Sequence, residues 1–222
     1  MLKFSGIIVM LTLMSSFFTE KKKVIFFGDS ITQAAVQEGG YITLIDSLMQ
    51  ASGQSSNFDL VGKGISGNKV YDLYLRMQDD VVSQKPDIVF IYIGVNDVWH
   101  KQSHGTGTDA DKFQRFYQAI IDTLQSHSID LVLVTPGVIG EKTDYSNTLD
   151  GDLNEYTKII KALAAKNGTE LIDLRGAMID YARTNNPQNK EKGILTSDRV
   201  HLNKQGNLFV AELFFKMLQK KM

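Results

Sequence analysis

Four short stretches hold side chains that can do nucleophilic chemistry together. Ser30 lies in Gly28-Asp29-Ser30-Ile31-Thr32, directly after an apolar run at 24–27. Gly67-Asn68 follows a second strand-like run, and Gly94-Val95-Asn96-Asp97 follows a third. Asp198-Arg199-Val200-His201 precedes the last helical stretch. A serine hydroxyl is a weak nucleophile and needs a base within about 2.6–3.2 Å. His201 is the candidate base, because an unperturbed imidazole can take and return a proton near neutrality. Asp198, three residues earlier, is close enough along one turn to hold the other ring nitrogen in one tautomer. Singly, each of these residues is more often a turn or a cap. Their recurrence after successive strand-like runs points to a site.

The surrounding pattern supplies the scaffold. Apolar runs at 24–27, 58–61, 88–93, 129–134 and 170–173 read as five strands. The run at 88–93 is near-continuous, as expected of a central strand covered on both faces. Between the runs, apolar residues recur at helical spacing. Tyr41, Leu44, Ile45, Leu48 and Met49 share one face; Val70, Leu73, Tyr74 and Met77 share another. Asp109 and Asp111 open a further helix, Asn167-Gly168 closes the next, and the last runs from Asn203. The stretch after Asn96-Asp97, with Trp99, His100, His104 and several glycines, reads as a loop. Strands alternating with helices predict a three-layer α/β/α sandwich of flavodoxin-like kind with a five-stranded parallel sheet. In such a sheet every loop after a strand lies along one edge, so Ser30, Gly67 and Asn96 converge there with the loop before the last helix.

In order and context the four stretches resemble the blocks of the SGNH/GDSL hydrolases, a family of serine esterases and acylhydrolases. The resemblance covers roughly residues 23 to 218. It implies a triad of Ser30, His201 and Asp198. It also implies an oxyanion hole made by the backbone N–H groups of Ser30 and Gly67 and the side-chain amide of Asn96. Glycine suits the second position because no side chain blocks backbone approach. Asparagine suits the third because it donates without carrying charge. Asp29 and Asp97 are expected to support the turns under Ser30 and Asn96. Trp99, His100, His104 and Tyr145 leave the same edge and could line a substrate pocket.

Composition narrows the function further. The net charge is −1, so no basic field argues for nucleic acid or an anionic membrane. There is no cysteine, which excludes a disulfide framework and a lipoprotein anchor. His100 and His104 are four apart, but the glycines around them argue against a helix, and no metal or cofactor is expected. Met1-Leu2-Lys3 and the charge-free run at 4–18 have the form of an export signal. The expected organisation is a signal at 1–20 and one hydrolase domain at 21–222, with the mature chain starting between Ser16 and Lys21.

The expected activity is cleavage of a short, acetyl-like ester, on a small molecule or a glycan, through an acyl-enzyme on Ser30. Short acyl groups are favoured because no long apolar insertion could form a lid. Lysophospholipase, thioesterase or sugar O-acyltransferase activity would use the same residues. A non-catalytic glycan-binding protein would have no need of Ser30, Asn96, Asp198 and His201 together. A flavodoxin-type FMN binder would want a Ser/Thr-rich phosphate loop, which the first strand lacks.

Overall fold

The computed structural model describes residues 20–55 and 57–222. The proposed export signal at 1–20 falls almost wholly outside them. Val24, Ile25, Phe26 and Phe27 are all buried, because β1 (Lys22–Gly28) runs through the middle of the sheet with helices on both faces. The other strands are β2 (Phe58–Gly64), β3 (Ile88–Tyr92), β4 (Asp130–Val134) and β5 (Glu170–Ile172). All pairings are parallel, in the order β2-β1-β3-β4-β5. The chain steps one way from β1 to β2, then crosses back to β3. That reversal opens a crevice beyond the C-terminal ends of β1 and β3, where open α/β sheets bind ligands.

The helices are α1 (Ser30–Ala34), α2 (Tyr41–Ala51), α3 (Val70–Asp80), α4 (Val95–Ser103), α5 (Ala110–Ser126), α6 (Asp150–Asn167), α7 (Leu174–Asn185) and α8 (Lys204–Gln219). Strand side chains alternate between faces, so Phe26 and Phe27 look opposite ways. Phe26 packs against Tyr41 of α2 and stacks on Phe214 of α8 at 6.0 Å. Phe27 lies under the Arg76 guanidinium of α3 at 4.4 Å. On that second face, the Tyr117 hydroxyl of α5 donates to Ile91 O. The expected three layers are present. Among the described residues, no helix is long and apolar enough to cross a membrane.

Three local expectations are corrected. β2 does not stop at Val61 but runs to Gly64. Its glycines lie within the strand and serve close approach: a Cβ on Gly64 would lie 2.1 Å from Gln33 N, and one on Gly62 2.3 Å from Val36 Cγ1. Asp173 is not strand; its carboxylate caps α7, accepting from Gly176 N at 3.2 Å. The stretch after Gly94 is helix α4, not loop. Gly94, at φ +123°, turns the chain straight from β3 into the helix, and Gly105 and Gly107 come only after it has ended.

Candidate active site

Gly28 ends β1, and nothing larger fits there. A Cβ would lie 2.4 Å from Thr32 Oγ1 and 2.5 Å from Tyr92 O. Asp29 then caps α1, its carboxylate accepting from Ile31 N at 3.0 Å. Ser30 is therefore the first residue of a helix, half-buried, with a backbone N–H that has no partner inside the helix. Its hydroxyl lies 2.9 Å from His201 Nε2. His201 Nδ1 lies 2.7 Å from Asp198 Oδ2. A proton on Nδ1, donated to the carboxylate, leaves Nε2 to accept from Ser30. The other Asp198 oxygen accepts from Val200 N (3.1 Å) and His201 N (2.8 Å), an Asx turn that fixes the carboxylate under the ring. Burial pushes the Asp198 carboxyl up, but the bonds from the His201 ring and from the two N–H groups outweigh it and hold it below its ordinary value.

Gly67 follows β2 in a left-handed conformation, φ +77°, that favours glycine. Among the described residues its N–H has no acceptor, while its carbonyl is held by Lys69 Nζ at 2.9 Å. Asn96 is buried at the second position of α4, and its amide donates to Asn68 O at 3.1 Å. That bond uses one of the two amide N–H groups and leaves the other to serve a ligand. The sheet edge thus gathers a hydroxyl, an imidazole, a carboxylate and three N–H donors, the components of acyl transfer through a serine.

Residues 26–208 match the sequence profile of the GDSL-like lipase/acylhydrolase family. The chain belongs to that family. It is similar to the crystal structure of an acetyl xylan esterase, at 59% identity and a TM-score of 0.87 over 88% of this chain and 99% of that one. It is 32% identical over 212 residues to the acetylxylan esterase of Geobacillus stearothermophilus, covering 88% of this chain and 93% of that enzyme. It is 27% identical to the isoamyl acetate-hydrolyzing esterase 1 homolog of Rattus norvegicus, over 90% of this chain and 82% of that one. The protein is a carboxylic ester hydrolase.

Two buried carboxylates brace this GDSL-like hydrolase from beneath. Asp97 is fully buried and accepts from Val70 N at 3.1 and 3.3 Å, tying the start of α4 to the start of α3. Burial pushes its carboxyl up to about 7. Burial likewise raises Asp29 to about 6, against the Ile31 N–H and the nearby His201, which favour its charged form.

The expected pocket residues separate into two groups. Trp99 and His100 are half-buried on α4. A Cβ placed on Gly67 would lie 3.9 Å from His100 Cε1, so this imidazole adjoins the Gly67 turn. Desolvation, with the neighbouring His104 and Lys69, lowers its pKa. The His100 and His104 rings are 4.5 Å apart, and His104 is exposed. Among the described residues no cluster of three or more His, Cys, Asp and Glu side chains could hold a metal. Tyr145 is not part of this group. It stands 85% exposed on the loop between β4 and α6, beside a separate cavity.

Two positioning residues escaped the reading of the sequence. Glu141 is buried, and its carboxylate accepts from Ile194 N (2.8 Å), Leu195 N (2.6 Å) and Thr196 N (2.7 Å). It thereby anchors the start of the loop that carries Asp198 and His201. Arg76 donates to Gly28 O (2.8 Å), Lys63 O (3.0 Å) and Asn68 Oδ1 (2.7 Å), joining the ends of β1 and β2 to the Gly67 turn. A glutamate after the apolar Val138-Ile139-Gly140 was the only local hint of the first, and a basic residue on the α3 face the only hint of the second.

Proposed function

We propose that the protein removes acetyl groups from an acetylated glycan of the xylan type by a two-step mechanism centred on Ser30. The observation that carries this reading is the continuous chain from Ser30 Oγ through His201 to Asp198, at 2.9 and 2.7 Å. His201 Nε2 takes the hydroxyl proton as Ser30 Oγ attacks the acetyl carbonyl. Asp198 stabilises the imidazolium that forms and keeps its orientation. The carbonyl oxygen becomes an oxyanion, received by the N–H groups of Ser30 and Gly67 and the free N–H of Asn96. His201 then protonates the departing sugar oxygen, leaving an acetyl-enzyme. Water, deprotonated by the same imidazole, attacks this ester and releases acetate. The similarity to two acetylxylan esterases supports the choice of acyl group and alcohol. A polymeric substrate also fits export, and we assign residues 1–20 as the signal, with 21–222 as the domain that acts outside the cell.

The test is release of acetate from acetylated xylan, and hydrolysis of p-nitrophenyl acetate, by residues 21–222 beside the Ser30→Ala variant. The variant is expected to lose at least about 10⁴-fold in kcat. Comparable rates in both proteins would remove Ser30 from the mechanism. Faster turnover of the decanoate ester than of the acetate would overturn the acetyl assignment.

A further inference from the structure

A cavity of about 250 Å³ lies between the β4–α6 loop and α7, with Leu195, just ahead of the His201 loop, in its lining. Val138, Thr143, Asn147, Met178 and Ile179 contribute to its wall. Its floor is Arg175, which is 2% exposed. The guanidinium donates to Asp150 (2.8 Å), Asn154 (2.8 Å) and Gly137 O (3.3 Å). The other arginine of the lining, Arg183, pairs with Asp180 at 3.0 Å. Each arginine is thus paired with a carboxylate. The Glu141 carboxylate is turned to three backbone N–H groups and Asp150 pairs with Arg175, so what remains, among the described residues, is apolar wall mixed with amide and hydroxyl groups and the ammonium of Lys142, in a volume just under that of common ligand pockets. That chemistry suits one sugar ring, which presents C–H faces to the apolar wall and a rim of hydroxyls to the amides, hydroxyls and the lysine.

Tyr145 stands at the rim, and its placement is not explained by packing. The ring is 85% exposed and the backbone is left-handed at φ +65°, an uncommon conformation for a bulky residue. The loop holding it is braced on both sides. Asn189 Oδ1 accepts from Thr143 N (2.7 Å), Asn189 Nδ2 donates to Asp144 (2.6 Å), and Asn147 Nδ2 donates to Lys142 O (2.8 Å) and Asp150 (3.0 Å). A rigid mount that turns an aromatic face to solvent gains no stability from that ring. It does prepare a platform, because tyrosine offers a large amphipathic contact at low entropic cost. The cavity wall also touches the proposed catalytic loop: Gly140 N donates to Arg199 O at 2.9 Å, between Asp198 and His201.

We infer that this cavity is a second saccharide subsite, where Tyr145 covers the C–H face of a sugar ring neighbouring the acetylated one in the same glycan. The inference rests on the glycan-ester reading above and adds to it a requirement for chain length. The test is the ratio of kcat/KM for acetylated xylotriose to kcat/KM for p-nitrophenyl acetate, which has no sugar to fill the cavity. In Tyr145→Ala the ratio is expected to fall about tenfold, mainly through KM for the oligosaccharide, while Tyr145→Trp retains it. An unchanged ratio in Tyr145→Ala, with the wild type active on acetylated xylotriose, would overturn the subsite alone. A wild type that cleaves p-nitrophenyl acetate but not acetylated xylotriose would overturn the glycan-ester reading, and the subsite with it.

Discussion

On one side of Ser30, Gly67 and Asn96 sit where regular structure begins: Gly67 just ahead of α3, Asn96 in the first turn of α4. A fully buried carboxylate, Asp97, joins those two helix starts, and Arg76 joins them to β1. On the other side, Asp198 and His201 ride an irregular loop. Their side chains are 51% and 38% exposed. What holds that loop is a set of hydrogen bonds, three of them to Glu141, and one antiparallel bridge between Thr196 and Leu202. The donor side is thus fixed by burial in the core, whereas the base side is fixed by bonds that can be removed one at a time. Rigidity is most useful where charge develops, because preorganised donors need not reorient in the transition state. An imidazole proposed to exchange protons with serine, a leaving alcohol and water needs access to solvent instead.

Between Asn96 on the rigid side of Ser30 and Glu141 on the tethered side, the larger effect should come from the rigid side. Asn96→Ala removes one proposed oxyanion donor and is expected to lower kcat for p-nitrophenyl acetate about 10²–10³-fold with little change in KM. A loss smaller than about fivefold would take Asn96 out of the oxyanion hole.

The tethered side should yield a smaller loss of turnover and a larger loss of order. Glu141→Ala strips the acceptor from three N–H groups, and each buried N–H left unpaired costs about 1–3 kcal/mol. Water entering the vacated space recovers part of this. We expect a lower melting temperature together with a drop of about tenfold in kcat, as His201 spends less time against Ser30. Glu141→Gln keeps one oxygen for Leu195 N and Thr196 N and should restore most of the turnover. If Glu141→Ala melts earlier but keeps full kcat, the loop does not depend on this anchor for its catalytic geometry.

The same division governs what could be read in the sequence. Ser30, Asn96, Asp198 and His201 are legible because each lies within a few residues of the turn or strand that places it, and local order carries the pattern. The five strands are legible for the same reason, as apolar runs. Glu141 is not, because its partners lie 53, 54 and 55 residues away and no local rule links a glutamate to distant amides. Arg175 is similar: a buried guanidinium makes sense only once Asp150 and Asn154 of α6 are beside it. Glycines misled in both directions. Gly62 and Gly64 end the apolar run of the second strand but mark the close passage of α1 over a strand that continues, and Gly105 and Gly107 dissolved α4 on paper although they follow its last turn. Tyr145 could be placed on the right sheet edge by topology, but not on the right flank, because the loop fixing it folds on its own side-chain bonds.

The smallest effect on turnover, and the sharpest test of the buried brace, is Asp97→Asn. Asparagine keeps an acceptor for Val70 N, so kcat should change by no more than about twofold. Stability should respond with a defined sign. Burial holds the Asp97 carboxyl at about 7, against about 3.9 in an unfolded chain. Between those values the folded protein keeps a proton that the unfolded chain has lost. The Asp97 contribution is therefore fully present below pH about 4 and is lost as pH rises through about 7. The variant has no such group. Its stability relative to wild type should rise across that window and level off above it, by an amount of the order of a few kcal/mol at most. Urea unfolding of both proteins at intervals from pH 4 to pH 8 measures the difference directly. A difference that stays flat across the window would mean that Asp97 is ionised throughout, and that the donor side of the site is held by an ion rather than by a buried neutral acid.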